Sequence, residues 1–422
     1  MYKLTCVGYD KDGRGIVKLD NKIGFVKNLA FGDECVLKEI IDKKKFFEAI
    51  IDNKTNTLVK VSKERVLSTY NGTCNLAHLS YTEQIRFQEE ITKNSFERSG
   101  LNFPKIQKCV YSQISVGYRN KAVLIANHEL KYTRLGFFAE RSNNFCLQDK
   151  NILYSDTLNN LIFTLNNELK ENKITLPDVS KVIFRINQAN EFQVTFLLNN
   201  NQPNTVSRIL ELKSLKTKTI SVHYIFANEV KVLKGNKYLV HDIKGVKYLV
   251  NGLAFFQTNS SMVEQMYKEI LSEITLENSV IDAFSGISTI GQFISKNAKK
   301  VFSIEINKDA NLCAKECLDL NQITNLEILE GDFTRQFNKV KHLADTIVLD
   351  PPKAGVDTKA IQEINCSSLK KIIYLSCYLP SLIRDLKLLT NFEIKKIQPF
   401  KNFPQTAECE TLVVLCHKKV VC

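Results

Sequence analysis

The sequence has no uninterrupted apolar run near the roughly 20 residues that a membrane-spanning helix requires. Its first residues also lack the charged and then apolar plan of a secretory signal peptide. Its 12 cysteines are scattered without the regular short spacing of a disulfide framework. We therefore expect a protein of a reducing, cytoplasmic compartment that has no membrane partner.

The chain of 422 residues is long enough for two or three domains, and its 44% of hydrophobic residues allow each domain to bury a core. The net charge is +13, and the basic residues are spread along the chain. A basic globular surface favours a polyanionic partner, with nucleic acid first among them. A generally lysine-rich proteome would give the same excess of positive charge, so the net charge alone does not identify nucleic acid as the partner.

The patterning divides the chain into three parts. Residues 1–56 alternate between short strands and turns, like a small basic β-barrel that binds RNA or serves as a structural cap. Residues 57–250 mix strands and helices and predict an α+β domain. Residues 251–422 alternate buried strands with helices, which is typical of a doubly wound parallel sheet in an α/β, Rossmann-like fold. The helices predicted in this last part cover 260–274, 289–298 and 309–320.

Two apolar runs in this last part each end abruptly in a polar turn, as buried parallel strands do. The first run ends at Asp350, which two prolines follow, and the second ends at Cys377. Ligands of open α/β sheets bind beyond the carboxyl ends of such strands. The pair predicts covalent catalysis beside a bound cofactor, and two ordinary loops are the alternative.

Further strand ends in this part carry groups that suit a nucleoside. The turn over 282–289 contains Gly286, which allows a ligand to approach the backbone, and it leads into a helix N-terminus. It lacks the three glycines of a dinucleotide loop. Glu305 is placed to take both hydroxyls of a ribose, and Asp332 to meet an adenine amino group. S-adenosylmethionine, a nucleoside cofactor without a pyrophosphate, fits these groups best.

Several motifs together resemble the RNA uracil-5 methyltransferases, in the order and at the spacing of that family. They are Phe256-Gln-Thr-Asn259, Asp282-Ala-Phe-Ser-Gly286, Asp350-Pro-Pro-Lys-Ala-Gly355, Ser376-Cys377 with Arg384-Asp385, and Phe403-Pro-Gln-Thr406 with Glu410. The N-terminal part resembles the TRAM domain of the branch that acts mainly on 23S rRNA. Residues 65–81 and 118–121 resemble further segments of the family, although 118–121 alone would be predicted to form a solvated turn.

The resemblance implies a covalent mechanism. Cys377 corresponds to the nucleophile that adds to C6 of uracil and makes C5 nucleophilic, and Glu410 to the base that removes the C5 proton. The target base is expected to flip out of its RNA context. The positions that match cofactor-binding residues are Gln257, Phe284, Glu305 and Asp350, to which we add Asp332.

Several residues depart from the family pattern. Ser285 and Ser288 stand where the family has a cysteine and a glycine, and Tyr378-Leu379 replace the Asn-Pro that usually follows the nucleophile. Lys401 replaces an aspartate, and Glu408 replaces a histidine. These changes concern substrate contacts and efficiency more than the type of reaction.

Many relatives carry an iron–sulfur cluster, which needs four thiolates. Cys74 and Cys109 match two of the four positions, whereas Asn71 and the shortened stretch 68–70 lack the other two. We predict that the cluster is absent. No other metal is expected, because Cys74 and His78 lack two further ligands at close spacing.

The sequence thus predicts an S-adenosylmethionine-dependent enzyme that makes 5-methyluridine in RNA. The expected substrate is 23S rRNA and the nearest alternative is tRNA, since the barrel favours rRNA only by resemblance. An RNA-binding module that has lost catalysis is a second hypothesis, suggested by Ser288, Lys401 and Glu408. An amino methyltransferase, in which a similar proline-containing turn recurs, is a third. A monomer is expected.

Overall fold

The computed structural model describes residues 3–55, 72–139, 142–147 and 150–419, and every structural statement below concerns these residues. Within them, none of the helices has the length and apolar character needed to cross a membrane.

The N-terminal part is a six-stranded sheet that curls on itself. Its strands are β1 (Lys3–Thr5), β2 (Gly8–Tyr9), β3 (Gly15–Leu19), β4 (Lys22–Val26), β5 (Glu34–Asp42) and β6 (Phe46–Thr55). The spatial order is β1-β5-β6-β4-β3-β2, so the two outer strands are consecutive in the chain. Val17, Leu29 and Phe47 fill the interior, because alternate residues of a strand point to the same face. The barrel-like expectation is confirmed.

Helix α1 (Tyr81–Glu97) precedes a mixed seven-stranded sheet. The sheet contains β7 (Lys121–Asn127), β8 (Arg134–Phe138), β9 (Phe145–Cys146), β10 (Val179–Ile186), β11 (Phe192–Leu198), β12 (Ile220–Phe226) and β13 (Glu229–Lys234), in the order β13-β12-β11-β10-β7-β8-β9. Its helices are α2 (Asp156–Glu171) and α3 (Pro203–Glu211). Ser155 caps α2, whose buried Leu158, Ile162, Leu165 and Leu169 recur at helical spacing and pack into the core of this sheet.

The C-terminal part is built around a second seven-stranded sheet. A hairpin of β14 (Leu239–Ile243) and β15 (Val246–Val250) and helix α4 (Ser260–Leu271) precede it. The alternating elements are β16 (Ser279–Ala283), α5 (Thr289–Ile294), β17 (Lys300–Glu305), α6 (Lys308–Asn321), β18 (Leu326–Glu330), α7 (Phe333–Val340), β19 (Thr346–Leu349), α8 (Thr358–Asn365), β20 (Lys371–Ser376), α9 (Leu379–Leu388), β21 (Phe392–Phe400) and β22 (Glu410–His417).

The strand order is β18-β17-β16-β19-β20-β22-β21, in which β22 alone runs antiparallel to its neighbours. The predicted α/β class and Rossmann-like plan are confirmed. The chain proceeds from β16 outward through β17 and β18 and then returns to β19 on the other side of β16. This reversal is the topological switch point at which such sheets bind ligands.

Segments that precede residue 251 also pack on this sheet. Phe87 and Phe96 of α1 lie in the core on one face, and Tyr248 and Val250 of the hairpin lie in the core on the other face. The C-terminal sheet therefore takes part of its cover from earlier in the chain. The domain limits 1–56, 57–250 and 251–422 remain a prediction.

Candidate active site

The carboxyl ends of the parallel strands gather the predicted residues at one edge of the sheet. Ala283 pairs with both Ile304 and Leu349, and Leu349 pairs with Tyr374. The residues at or just beyond the ends of β16, β17, β19 and β20 are therefore neighbours across the sheet, and they include Phe284, Glu305, Asp350 and Cys377.

The turn after β16 has an unusual backbone conformation, and one of its N–H groups is hydrogen-bonded to a carboxylate. Phe284, Gly286 and Ser288 all have left-handed φ values, of 59°, 56° and 57°, which L-residues with side chains adopt rarely. The N–H of Gly286 donates to Oε2 of Glu305 at 2.9 Å, and Oε1 accepts from the N–H of Asn307 at 2.7 Å. Glu305 therefore closes the turn, and the family glycine at position 288 fits the left-handed conformation found there.

A buried carboxylate fixes the other side of this turn. Asp282 accepts hydrogen bonds from the N–H of Gly291 at 2.9 Å and from Oγ of Ser303 at 3.2 Å. Burial raises the pKa of Asp282 to about 7. A Cβ atom at position 291 would lie 2.7 Å from Oδ2 of Asp282, so glycine is required for this close approach. Asp282, which is 1% exposed, therefore holds the turn from within the protein.

Two predicted cofactor residues meet at the start of α7. The ring of Phe284 stacks on Phe333 with centroids 5.0 Å apart and planes inclined by 24°. Asp332 is exposed and caps α7 by accepting from the N–H of Arg335 at 3.0 Å. Its helix-capping role accounts for one carboxylate oxygen, and exposure leaves the group accessible to a ligand.

The carboxyl group of Asp350 meets the loop that precedes α4. Nε2 of the buried Gln257 donates to Oδ2 of Asp350 at 3.4 Å. Asn120 holds this loop from the central sheet, because its side chain donates to the carbonyl of Gln257 at 3.0 Å and its N–H to that of Thr258 at 2.9 Å. Gln257 and Asp350 are thus brought together as predicted cofactor residues.

The prediction of a solvated turn at 118–121 is wrong. Tyr118 and Asn120 are each 8% exposed, and the hydroxyl of Tyr118 donates to the carbonyl of Pro404 at 2.9 Å. The polar groups of this stretch bind the loops that contain Gln257 and Pro404. The local sequence pattern cannot distinguish such a contact between sheets from a solvent-facing turn.

Cys377 and Glu410 lie opposite one another across two paired strands. The last pair of the ladder joins Ser376 of β20 to Thr411 of the antiparallel β22, and extension of this register by one residue places Cys377 opposite Glu410. Cys377 is half-buried and Glu410 is buried, and Nδ2 of Asn402 donates to Oε2 of Glu410 at 3.2 Å. The register therefore places a thiol and a carboxylate at one mouth of the sheet.

Burial opposes the ionisation of the three acidic groups of this mouth, and the charge of Glu410 adds to this effect at Cys377 and Asp350. Burial, with the charges of Glu410 and Asp350, raises the pKa of Cys377 to about 12, while Lys353 acts in the other direction. Burial raises the pKa of Glu410 to about 7, and burial with the charge of Glu410 raises that of Asp350 to about 8. A cation that enters this cleft would favour the ionised carboxylates.

Two departures from the family pattern have clear structural partners. Glu408 forms an ion pair with Lys353. Lys401 is fully buried, and its Nζ donates to the carbonyl of Thr406 at 2.7 Å. Burial lowers the pKa of Lys401 to about 8. Lys401 thus braces the loop that leads to Glu410.

Asp385 fixes the loop over 350–356. Its Oδ2 accepts from the N–H of Val356 at 2.9 Å and from the hydroxyl of Tyr374 at 2.7 Å, and its Oδ1 accepts from Nε of Arg384 at 2.8 Å. The carboxylate is fully buried. This network positions the segment after Asp350 against the helix that follows Cys377.

Replacement of Asp385 by alanine is expected to lower the free energy of unfolding by about 3 kcal/mol, because the buried N–H of Val356 and hydroxyl of Tyr374 lose their acceptor. Urea unfolding measures the change. The control Glu327→Ala removes an exposed ion pair with Lys300 and should cost less than about 0.5 kcal/mol. Equal stabilities of the two variants would contradict the role of Asp385.

No group of three or more His, Cys, Asp or Glu side chains within the described ranges is arranged to hold a metal ion. Cys74 and Cys109, which match cluster positions of the family, are both buried. Asn71 and the stretch 68–70 lie outside the described residues. The absence of the iron–sulfur cluster therefore stays a prediction.

Comparison with known proteins places this chain in a family. The family model for tRNA (uracil-5-)-methyltransferase matches residues 80–418. An uncharacterized RNA methyltransferase of Fusobacterium nucleatum is 28% identical over 92% of this chain and 89% of its own length. One of Clostridium acetobutylicum is 29% identical over 98% of this chain and 96% of its own length.

A solved structure extends the similarity to the whole fold. The tRNA (uracil-54, C5)-methyltransferase of Pyrococcus abyssi, crystallised with S-adenosyl-L-homocysteine, is 21% identical and aligns with a TM-score of 0.76 over 98% of this chain and 99% of its own. At this identity the alignment shows the fold, while the family model shows the class of enzyme. The chain belongs to the tRNA (uracil-5-)-methyltransferase family, and the predicted enzyme class, an S-adenosylmethionine-dependent RNA (uracil-5-)-methyltransferase, is confirmed.

Proposed function

We propose that the protein methylates C5 of a uridine in 23S rRNA through a covalent adduct between Cys377 and C6 of the base. The observation that carries the proposal is the register of β20 and β22, which sets Cys377 opposite Glu410. A nucleophile and a base must reach one pyrimidine ring, and this pairing supplies both groups at one site.

S-adenosylmethionine would be held at the switch point by Gln257, Phe284, Glu305, Asp332 and Asp350. The turn after β16 fits such a ligand, because a Cβ atom built on Gly286 would meet nothing within 4 Å and Glu305 stands beside that open space. The cofactor supplies a methyl group on a positively charged sulfur. We propose that Glu305 binds the ribose and that Phe284 packs on the adenine. Gln257 and Asp350 would bind near the positively charged sulfur.

The chain's own residues then account for the chemistry at the base. The thiolate of Cys377 adds to C6, and the electrons of the C5–C6 double bond move to O4 as an enolate. After C5 has gained the methyl group, Glu410 takes the proton from C5 and the electrons re-form the double bond as sulfur leaves. The pKa of Glu410, about 7, suits a base that works near neutral pH.

The choice of 23S rRNA over tRNA rests on the N-terminal sheet. The curled N-terminal sheet supports 23S rRNA through its resemblance to the TRAM domain, whereas the structural neighbour is named for a tRNA reaction. Incubation with labelled S-adenosylmethionine and unmodified 23S rRNA or tRNA tests the proposal. Label in 5-methyluridine of rRNA supports it, label in tRNA alone selects the alternative, and RNA binding without label would indicate lost catalysis.

The affinity for S-adenosylmethionine should depend on pH. Because the pKa of Asp350 is raised to about 8 in the free protein, this group is mostly neutral at pH 6 and must ionise to meet a sulfonium. The dissociation constant should therefore rise as pH falls below about 8, by up to about tenfold per pH unit. Calorimetry at pH 6 and pH 8 measures the change.

The matched control is S-adenosylhomocysteine, whose sulfur is uncharged and whose affinity should vary less over the same interval. An Asp350→Asn variant should also lose the dependence. Equal pH dependence for the two ligands would contradict a role for Asp350 at the sulfonium.

A further inference from the structure

We propose that a cavity beside Cys377 binds a second, unpaired nucleotide of the substrate RNA, next in the strand to the target uridine, with its base stacked on Tyr378 and its phosphate at Lys11. The inference rests on the proposed function, because it assigns the cavity to the same RNA. It adds a subsite that the reaction itself does not require.

The cavity has a volume of about 280 Å³. The described residues that line it include Cys377 but none of Gln257, Asp350 and Glu410. Since Cys377 lies in its wall, the cavity adjoins the position that the reacting base must occupy. Its walls come from the turn between β2 and β3, the helix α1, the start of α9 and the loop before β22.

The walls are joined by hydrogen bonds, so the cavity exists before RNA binds. Nδ2 of Asn75 donates to the carbonyl of Asp12 at 3.0 Å, and its Oδ1 accepts from the N–H of Ala407 at 2.8 Å. The hydroxyl of Tyr9 donates to Oε1 of Glu83 on α1 at 3.0 Å. The curled N-terminal sheet is thus held at the mouth of the catalytic strand ends, as a preformed site requires.

Tyr378 supplies a stacking surface at a position where the family usually has asparagine. It directly follows Cys377, lines the cavity and is 38% exposed. Its N–H donates to Oγ of Ser376 at 3.2 Å, and its carbonyl accepts from Oγ of Ser381 at 3.0 Å. These hydrogen bonds fix the backbone that carries the Tyr378 ring. Any of the four bases can stack on such a ring, so the subsite does not require a particular base.

Two lysines stand at the cavity in exposed ion pairs. Lys11 pairs with Asp12 at 2.9 Å, and Lys353 pairs with Glu408. Lys11 also lies near Tyr378, and both residues line the cavity. Exposed ion pairs contribute little to stability. A phosphate can therefore replace Asp12 as the partner of the Lys11 ammonium with little loss of folding stability. Protein surfaces that bind single-stranded RNA combine aromatic rings, on which bases stack, with nearby cations.

Fluorescence anisotropy with a fluorescein-labelled single-stranded octaribonucleotide of mixed sequence tests the subsite without catalysis. Tyr378→Ala is expected to weaken binding by roughly 5- to 100-fold, and Tyr378→Phe by less than about threefold, since loss of one stacked base has an effect of that order. Lys11→Ala should reduce the slope of log affinity against log salt by about 0.7. Phe163→Ala, which removes another exposed ring, on α2, should change neither quantity.

Kinetics on the RNA that accepts methyl provide the second readout. Tyr378→Ala should raise KM for RNA and leave KM for S-adenosylmethionine within about twofold, because stacking at this subsite does not touch the cofactor. Unchanged octamer binding and unchanged KM for RNA in Tyr378→Ala would overturn the inference. If the wild type binds RNA and transfers no methyl, while Tyr378→Ala still weakens octamer binding, the proposed function fails and the subsite stands.

Discussion

Replacement of Cys377 by alanine is expected to abolish 5-methyluridine formation, with a loss on the order of 10⁴-fold or more in turnover. The reason is chemical, because C5 of uracil is a poor nucleophile until a thiolate has added at C6. Incubation with labelled S-adenosylmethionine and RNA, followed by analysis of the nucleosides, measures the loss. A fold that stays intact should retain affinity for S-adenosylhomocysteine, which does not depend on the thiol.

The matched control is Cys366→Ala, which removes an exposed thiol at the end of α8 and should leave turnover within about twofold of wild type. Retained activity in Cys377→Ala would contradict covalent catalysis. It would favour an amino methyltransferase, whose substrate nitrogen is already nucleophilic and needs no adduct.

The sequence predicts the strand ends of the C-terminal sheet well, because two signals agree there. Short apolar runs that stop at a polar residue mark buried parallel strands, and the residues at their ends must share one edge of the sheet. Glu305, Asp350 and Cys377 are found in this way. The sequence pattern alone does not predict that Glu410 lies near Cys377; that prediction comes only from the resemblance to a family.

Residues that act through long-range contacts escape prediction from the sequence. Strand β21 contains Lys395, Lys396 and Pro399, which an edge strand tolerates but which hide a strand pattern. Because the pattern does not predict this strand, Asn402 just beyond its end is not recognised as the partner of Glu410. Tyr374 lies within an apolar run, and only packing shows that its hydroxyl meets a buried carboxylate.

The helix predicted over 309–320 agrees with the observed Lys308–Asn321 to within one residue at each end, whereas two other predicted helices extend too far at their C-terminal ends. The helix predicted over 289–298 ends at Ile294 and continues as a tighter 3₁₀ turn over Ser295–Asn297. The helix predicted over 260–274 ends at Leu271. Both errors lie in the last turn, where hydrogen bonds outside the α pattern compete with helix continuation.

Replacement of Glu410 by glutamine is expected to stop the reaction after the adduct has formed. The amide keeps the shape of the side chain and cannot take the C5 proton, so elimination of Cys377 is blocked. Turnover should fall by about 10²- to 10⁴-fold. A covalent protein–RNA species should accumulate and be visible as a slowly migrating band in a denaturing gel, as it should not with Cys377→Ala.

The pH dependence provides an independent check on Glu410. The pKa of this carboxyl is raised to about 7, so the wild type carries the neutral acid at lower pH and loses its base. The rate of proton removal should fall up to about tenfold for each pH unit below 7. The acidic limb should disappear from the residual activity of Glu410→Gln.

Glu393→Gln, an exposed change on β21, serves as the control and should retain both turnover and the acidic limb. Full activity in Glu410→Gln would contradict its role as base. Loss of activity without an adduct would indicate that Glu410 acts before the thiol attacks C6. The pKa of Cys377 is raised to about 12, so the thiol must lose its proton before it can attack, and Glu410 would then assist that step. The gel therefore separates the two steps at which a carboxylate opposite the thiol could serve.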